Sequence, residues 1–77
     1  MAERYIPRSV DAEQAVLGGL MLDNDRWDEV VLMLRGEDFS LAAHRVIFRS
    51  MSELAISGQP FDLITLSEHI EKTHNIE

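Results

Sequence analysis

Three histidines, His44, His69 and His74, and fourteen Asp and Glu residues are the groups in this sequence suited to metal or acid–base chemistry. A zinc pair on one helix uses i, i+4 spacing, which stacks both imidazoles on one face. His69 and His74 are five apart, which rotates them off a common face. His44 stands alone near the start of an expected helix, where a core or capping role outweighs a ligand role. The run DNDRWDEVVLML has the length of a calcium loop. That loop needs glycine at its sixth position and glutamate at its twelfth, where Asp28 and Leu34 stand. The remaining carboxylates gather where helices are expected to begin, and capping accounts for them. There is no cysteine, no phosphate loop, no dinucleotide fingerprint and no nucleophile elbow. The expectation is a segment that is not itself an enzyme and holds no catalytic residue, metal or cofactor.

Charge narrows the partners. The 77 residues carry 14 acidic and 7 basic side chains, a net charge of -7. Neutralising phosphates takes clustered Lys and Arg, whereas the single lysine and the arginines here are scattered. Direct contact with nucleic acid is not expected, and a basic protein partner fits better, although acidity also serves solubility alone. No apolar run is long enough to span a bilayer, and MAERYIPR lacks the apolar core of a signal peptide. A chain this short buries only about 60% of the surface it exposes when unfolded, so one small domain of marginal stability is the upper bound.

Helices have to position whatever this chain presents. Residues 1–8 read as an arm, with Ile6 near enough to the first cap to staple it. Ser9 is the expected N-cap of a helix over residues 10–22, with Asp11 and Glu13 favourably placed in its first turn. Val10, Leu17 and Leu20 are its expected core contacts. Gly18-Gly19 lies mid-helix, where two glycines cost about 1 kcal/mol each against alanine; close approach of another helix backbone, or a bend or early end, would offset that. A second helix is expected from Trp27, Val30, Val31 and Leu34 at i, i+3, i+4 and i+7, closed by Gly36 as a left-handed cap. Phe39 plugs the next junction, with Ser40 a possible cap. A third helix over about 41–57 presents Ala43, Ile47, Met51, Leu54 and Ala55, broadened by Phe48, and pairs Arg49 with Glu53 outside. Gly58 ends it, Asp62 caps a fourth, and Leu63, Leu66 and Ile70 form that helix's apolar stripe. No stretch alternates with period two for long. The fold class is all-α.

Four stretches, in order and at compatible spacing, carry a resemblance: PRSVDAEQAVLGGLMLD from Pro7, LDNDRWDEV from Leu22, Glu37-Asp38-Phe39 with His44-Arg45 and Ile47-Phe48, and GQPFDLITL from Gly58. Together they resemble the N-terminal domain of bacterial replicative DNA helicases of the DnaB type across nearly the whole chain. Arg8, Asp11 and Ser40 depart from the residues common in that family. The resemblance implies a small orthogonal bundle of about four helices, with residues 9–77 the helical globular part and a hairpin, linker and ATPase domain to follow. It implies a parent that is a ring-shaped hexameric, ATP-driven helicase of the bacterial cytoplasm and nucleoid, with ATP and Mg held in the ATPase domain. It further implies a collar of paired N-terminal domains that docks the primase C-terminal domain and, in some bacteria, a helicase loader. Asp11, with Glu13 beside it, is the expected primase-facing site, although helix-dipole stabilisation explains both acids equally. A free-standing helical adaptor or collar mimic, and a nucleic-acid-binding bundle, are the competing functions.

Overall fold

A computed structural model describes residues 9–74; the expected arm at 1–8, the Ile6 staple and the terminal Ile76 lie outside the described residues. Within them the chain is helical and strand-free: α1 (Val10–Leu22), α2 (Trp27–Val30), α3 (Ala42–Ile56) and α4 (Leu63–His74), with 3-10 turns at Asn24–Arg26 and Gly36–Asp38. The third helix is the hub, packed against α1, α4 and the Gly36–Asp38 turn.

Aromatic side chains form the spine of the core. Trp27 lies 5.0 Å from Phe48 and meets Phe61 edge-on at 5.7 Å, while Phe39 lies 5.1 Å from Phe48. Leu17, Leu20, Leu34, Met51, Leu54 and Leu66 are buried around them. Val30 and Ile47 pack half-buried against this cluster, and Ile70 is half-buried on α4. Phe61 is the core residue that periodicity missed, because it sits in a loop. Asn24 holds it there: its carbonyl oxygen accepts from Phe61 N–H at 2.8 Å, and its amide donates to the Phe61 and Leu20 carbonyls at 2.9 and 2.8 Å.

Several expectations need correction. Val10 is 39% exposed, since the buried stripe of α1 starts one turn later, at Glu13, and continues through Leu17 and Leu20. The second helix is only four residues long. Asp23 accepts from Asp25 N–H and winds a 3-10 turn into it. Beyond it, Met33 and Leu34 both donate to Val30 C=O at 2.9 Å, a tight exit from a β-branched pair that disfavours helix. Leu34 turns inward there and Val31 stays exposed. Gly36 consequently caps nothing; it opens a 3-10 turn, and the positive-φ glycine among the described residues is Gly58, at 75°, just past α3. Ala43 and Leu63 face outward. Asp62 caps α4 reciprocally with Thr65, accepting from Thr65 N–H at 2.9 Å while Asp62 N–H donates to the Thr65 hydroxyl at 2.8 Å. Glu53 meets His69 at 2.7 Å rather than serving Arg49.

Packing among the described residues does not explain the glycine pair. α1 continues through it to Leu22, and a Cβ built on either glycine meets nothing within 4 Å among those residues. Gly18→Ala is therefore expected to stabilise the domain by roughly 0.5–1 kcal/mol through helix propensity alone. Urea unfolding checks this, and a loss of stability would show that the position is occupied after all.

Candidate functional site

Two acids separated by two residues on a helix point about 200° apart, because each residue turns the helix by roughly 100°. That geometry splits Asp11 from Glu13. Ser9 starts the helix in extended conformation (φ -147°, ψ 159°), and its hydroxyl accepts from Ala12 N–H at 3.1 Å. Asp11, in the first turn, is exposed. Glu13 faces inward and is 1% exposed, so it cannot touch a partner; the expectation that it stands beside Asp11 on a docking face is corrected.

Glu13 instead joins α1 to the approach to α3. One carboxylate oxygen accepts from Ser40 N–H at 2.8 Å and from the Ser40 hydroxyl at 2.7 Å. The other lies 2.7 Å from His44 Nδ1, and the His44 ring, itself 7% exposed, stands edge-on to Phe39 at 6.4 Å. Ser40 is thus diverted from capping α3, whose N-cap is Leu41 with no side-chain hydrogen bond. Arg45 closes the same corner from outside, donating to the carbonyls of Phe39 at 2.7 Å and Ser40 at 3.1 Å. A buried carboxylate surrounded by donors is stabilised in its charged form. The Ser40 hydroxyl is the foremost cause, burial opposes it, and His44 and the backbone N–H groups of Ser40 and Leu41 add to it; together they hold Glu13 down to about 2. Asp62 is also lowered, first by the Thr65 N–H.

The sign of the resulting pH dependence follows directly. A carboxylate with a depressed folded pKa contributes stability that is present above its unfolded value and lost as pH falls through the folded one. For Glu13 that window runs from 4.5 down to about 2. Melting temperature is expected to hold down to the top of the window and fall steeply within it, and Glu13→Gln to flatten that fall. Circular dichroism melts across pH check both, and an equally steep fall in the variant would contradict the assignment.

This corner gives support: its buried Glu13–His44 pair ties the first turn of α1 to the approach to α3. Among the described residues no group of three or more His, Asp or Glu side chains is placed to hold a metal ion, and no helix is long and apolar enough to cross a membrane. What the site presents outward is the first turn of α1, with Asp11 at its tip.

Residues 5–77 match the family model described as the DnaB-like helicase N terminal domain. Relatives include the replicative DNA helicase DnaB of Buchnera aphidicola subsp. Schizaphis graminum, 51% identical over 71 residues, which are 92% of this chain and 15% of that protein. The DnaB of Pasteurella multocida is 48% identical over 66 residues, 86% of this chain and 14% of that protein. That of Geobacillus stearothermophilus is 40% identical over 76 residues, 99% of this chain and 17% of the relative. The chain therefore spans about one sixth of the length of such relatives.

Proposed function

The chain belongs to the family of DnaB-like helicase N-terminal domains, and from that premise we propose that it is the non-catalytic assembly and docking domain of a replicative DNA helicase. In this reading the parent is a cytoplasmic, hexameric, ATP-driven enzyme whose ATP and Mg sit in a separate ATPase domain. The N-terminal domains pair into a collar at the replication fork. The collar receives the C-terminal domain of primase and, in some hosts, a loader.

The single observation that carries the docking role is the division of labour within one helical turn. Glu13 is buried and fixed to Ser40 and His44, so the turn bearing exposed Asp11 is held rigidly against α3. A carboxylate carried on a fixed turn loses little backbone freedom on binding, which favours recognition of a basic partner group. The net charge of -7 supports a protein partner over a nucleic acid.

Titrating the chain with the primase C-terminal domain, while following backbone amides by NMR, tests this. Shifts are expected to cluster over residues 9–14. If those amides stay still at high micromolar partner, docking through the first turn of α1 is wrong.

A further inference from the structure

Gly19, on α1, borders an open groove of about 380 Å³. Ala15, Val16 and Gly19 supply its α1 side, and Val30 and Met33 its opposite wall. Asp23, Arg26 and Glu29 stand at its edge. Three observations need a common explanation. Gly19 weakens α1, yet among the described residues nothing lies within 4 Å of where its Cβ would stand. Met33, on the wall, is an apolar side chain left 41% exposed, and Val30 beside it is half-buried. The segment bordering the groove concentrates acid: Asp23, Asp25, Asp28 and Glu29 against Arg26 alone, and Arg26 is already engaged by Asp23 at 3.6 Å and Glu29 at 3.3 Å.

We propose that this groove is a docking site for an amphipathic helix of a partner protein, apolar on the face it inserts and rich in Lys or Arg along its flank. Glycine at the floor lets a second helix backbone come closer than any side chain would allow, so the weakening of α1 serves contact. A helix laid in such a groove anchors through apolar residues at i, i+3, i+4 and i+7, and Val16, Val30 and Met33 offer them apolar contacts on both sides of Gly19. Charge complementarity selects the occupant: residues 23–29 carry four acids against Arg26, so basic side chains on its flank meet surplus negative charge, whereas an acidic helix would meet like charge. The inference does not rest on the primase reading, since its test involves neither primase nor Asp11.

The probe is a synthetic helical peptide with leucine on one face and lysine elsewhere, compared with the same peptide carrying glutamate at every lysine. Amide shifts in the 77-residue chain are expected at Ala15, Gly19, Val30 and Met33, with the lysine peptide bound at least about tenfold more tightly than the glutamate one. Gly19→Leu, whose Cβ meets no heavy atom within 4 Å among the described residues and whose side chain occupies the groove, is expected to weaken binding by about tenfold or more with no fall in melting temperature. Glu29→Lys, an exposed change that leaves the floor open, is expected to weaken the lysine peptide and strengthen its acidic counterpart. Equal binding of the two peptides, shifts on another face, or full affinity in both variants would overturn the proposal. So would concentration-dependent shifts of the same residues without peptide, which would make a second copy of the chain the occupant.

Discussion

Glu13→Ala is expected to lower the melting temperature by on the order of 10 °C or more, an unusually large effect for an acidic residue in a helix. Surface acids at helix starts contribute a few tenths of a kcal/mol. Glu13 differs because it is buried and because all its partners are donors: Ser40 N–H, the Ser40 hydroxyl and His44. Alanine leaves those donors in a site that water reaches poorly, and an unmade buried hydrogen bond is more harmful than a made one is helpful. Glutamine should fall between alanine and the natural residue. Its oxygen can still accept from Ser40, and its amide can donate to His44 Nδ1 once the imidazole proton moves to the other nitrogen. The order of melting temperatures is therefore Glu, Gln, Ala. His44→Ala combined with Glu13→Ala should be less harmful than the sum of the two, since both break one network. Additive losses would mean that the two side chains act separately.

Trp27→Ala is the most damaging single substitution expected. The indole is 8% exposed and bridges Phe48 to Phe61. It therefore ties the segment after α1 to α3 and to the loop before α4. Truncating a buried aromatic of this kind costs about 3–5 kcal/mol. A domain of this length has roughly 4–12 kcal/mol in total, so the loss is a large fraction of its stability. Near-ultraviolet circular dichroism at 25 °C and the urea midpoint check this. Trp27→Phe keeps a ring between the two phenylalanines and should lose much less. A Trp27→Ala midpoint close to that of the natural chain would contradict the placement of the indole at the centre of the core.

Much of this architecture was legible in the sequence, for identifiable reasons. The 15-residue α3 and the 12-residue α4 repeat their apolar positions often enough for period to dominate, whereas the 13-residue α1, apolar on more than one face, was legible from its Ser9 cap and first-turn acids; Gly58 and Asp62 punctuate the others. The segment between Asp23 and Phe39 was less legible. Its Trp27, Val30, Val31, Leu34 spacing suits a helix, but a 3-10 entry and a doubly used Val30 carbonyl shorten the helical stretch and turn Val31 outward. Phe61 and Asn24 escaped because loop residues carry no period, and their link spans 37 positions of sequence. Glu13 escaped because a carboxylate in a first turn has a sufficient surface explanation. The only sequence signal against that reading was its register, four before Leu17 and seven before Leu20, on the stripe that becomes buried. The same register test separates Asp11, off the stripe, from Glu13.

That separation is the centre of the proposal, in which Glu13 holds the turn and exposed Asp11 meets the partner. The most direct measurement is the affinity of the primase C-terminal domain for this chain carrying Asp11→Lys, taken beside its melting temperature. The account predicts binding weaker by about tenfold or more, as expected when an exposed charge pair is reversed into repulsion, with the melting temperature nearly unchanged. Unchanged affinity in a folded Asp11→Lys chain would contradict it.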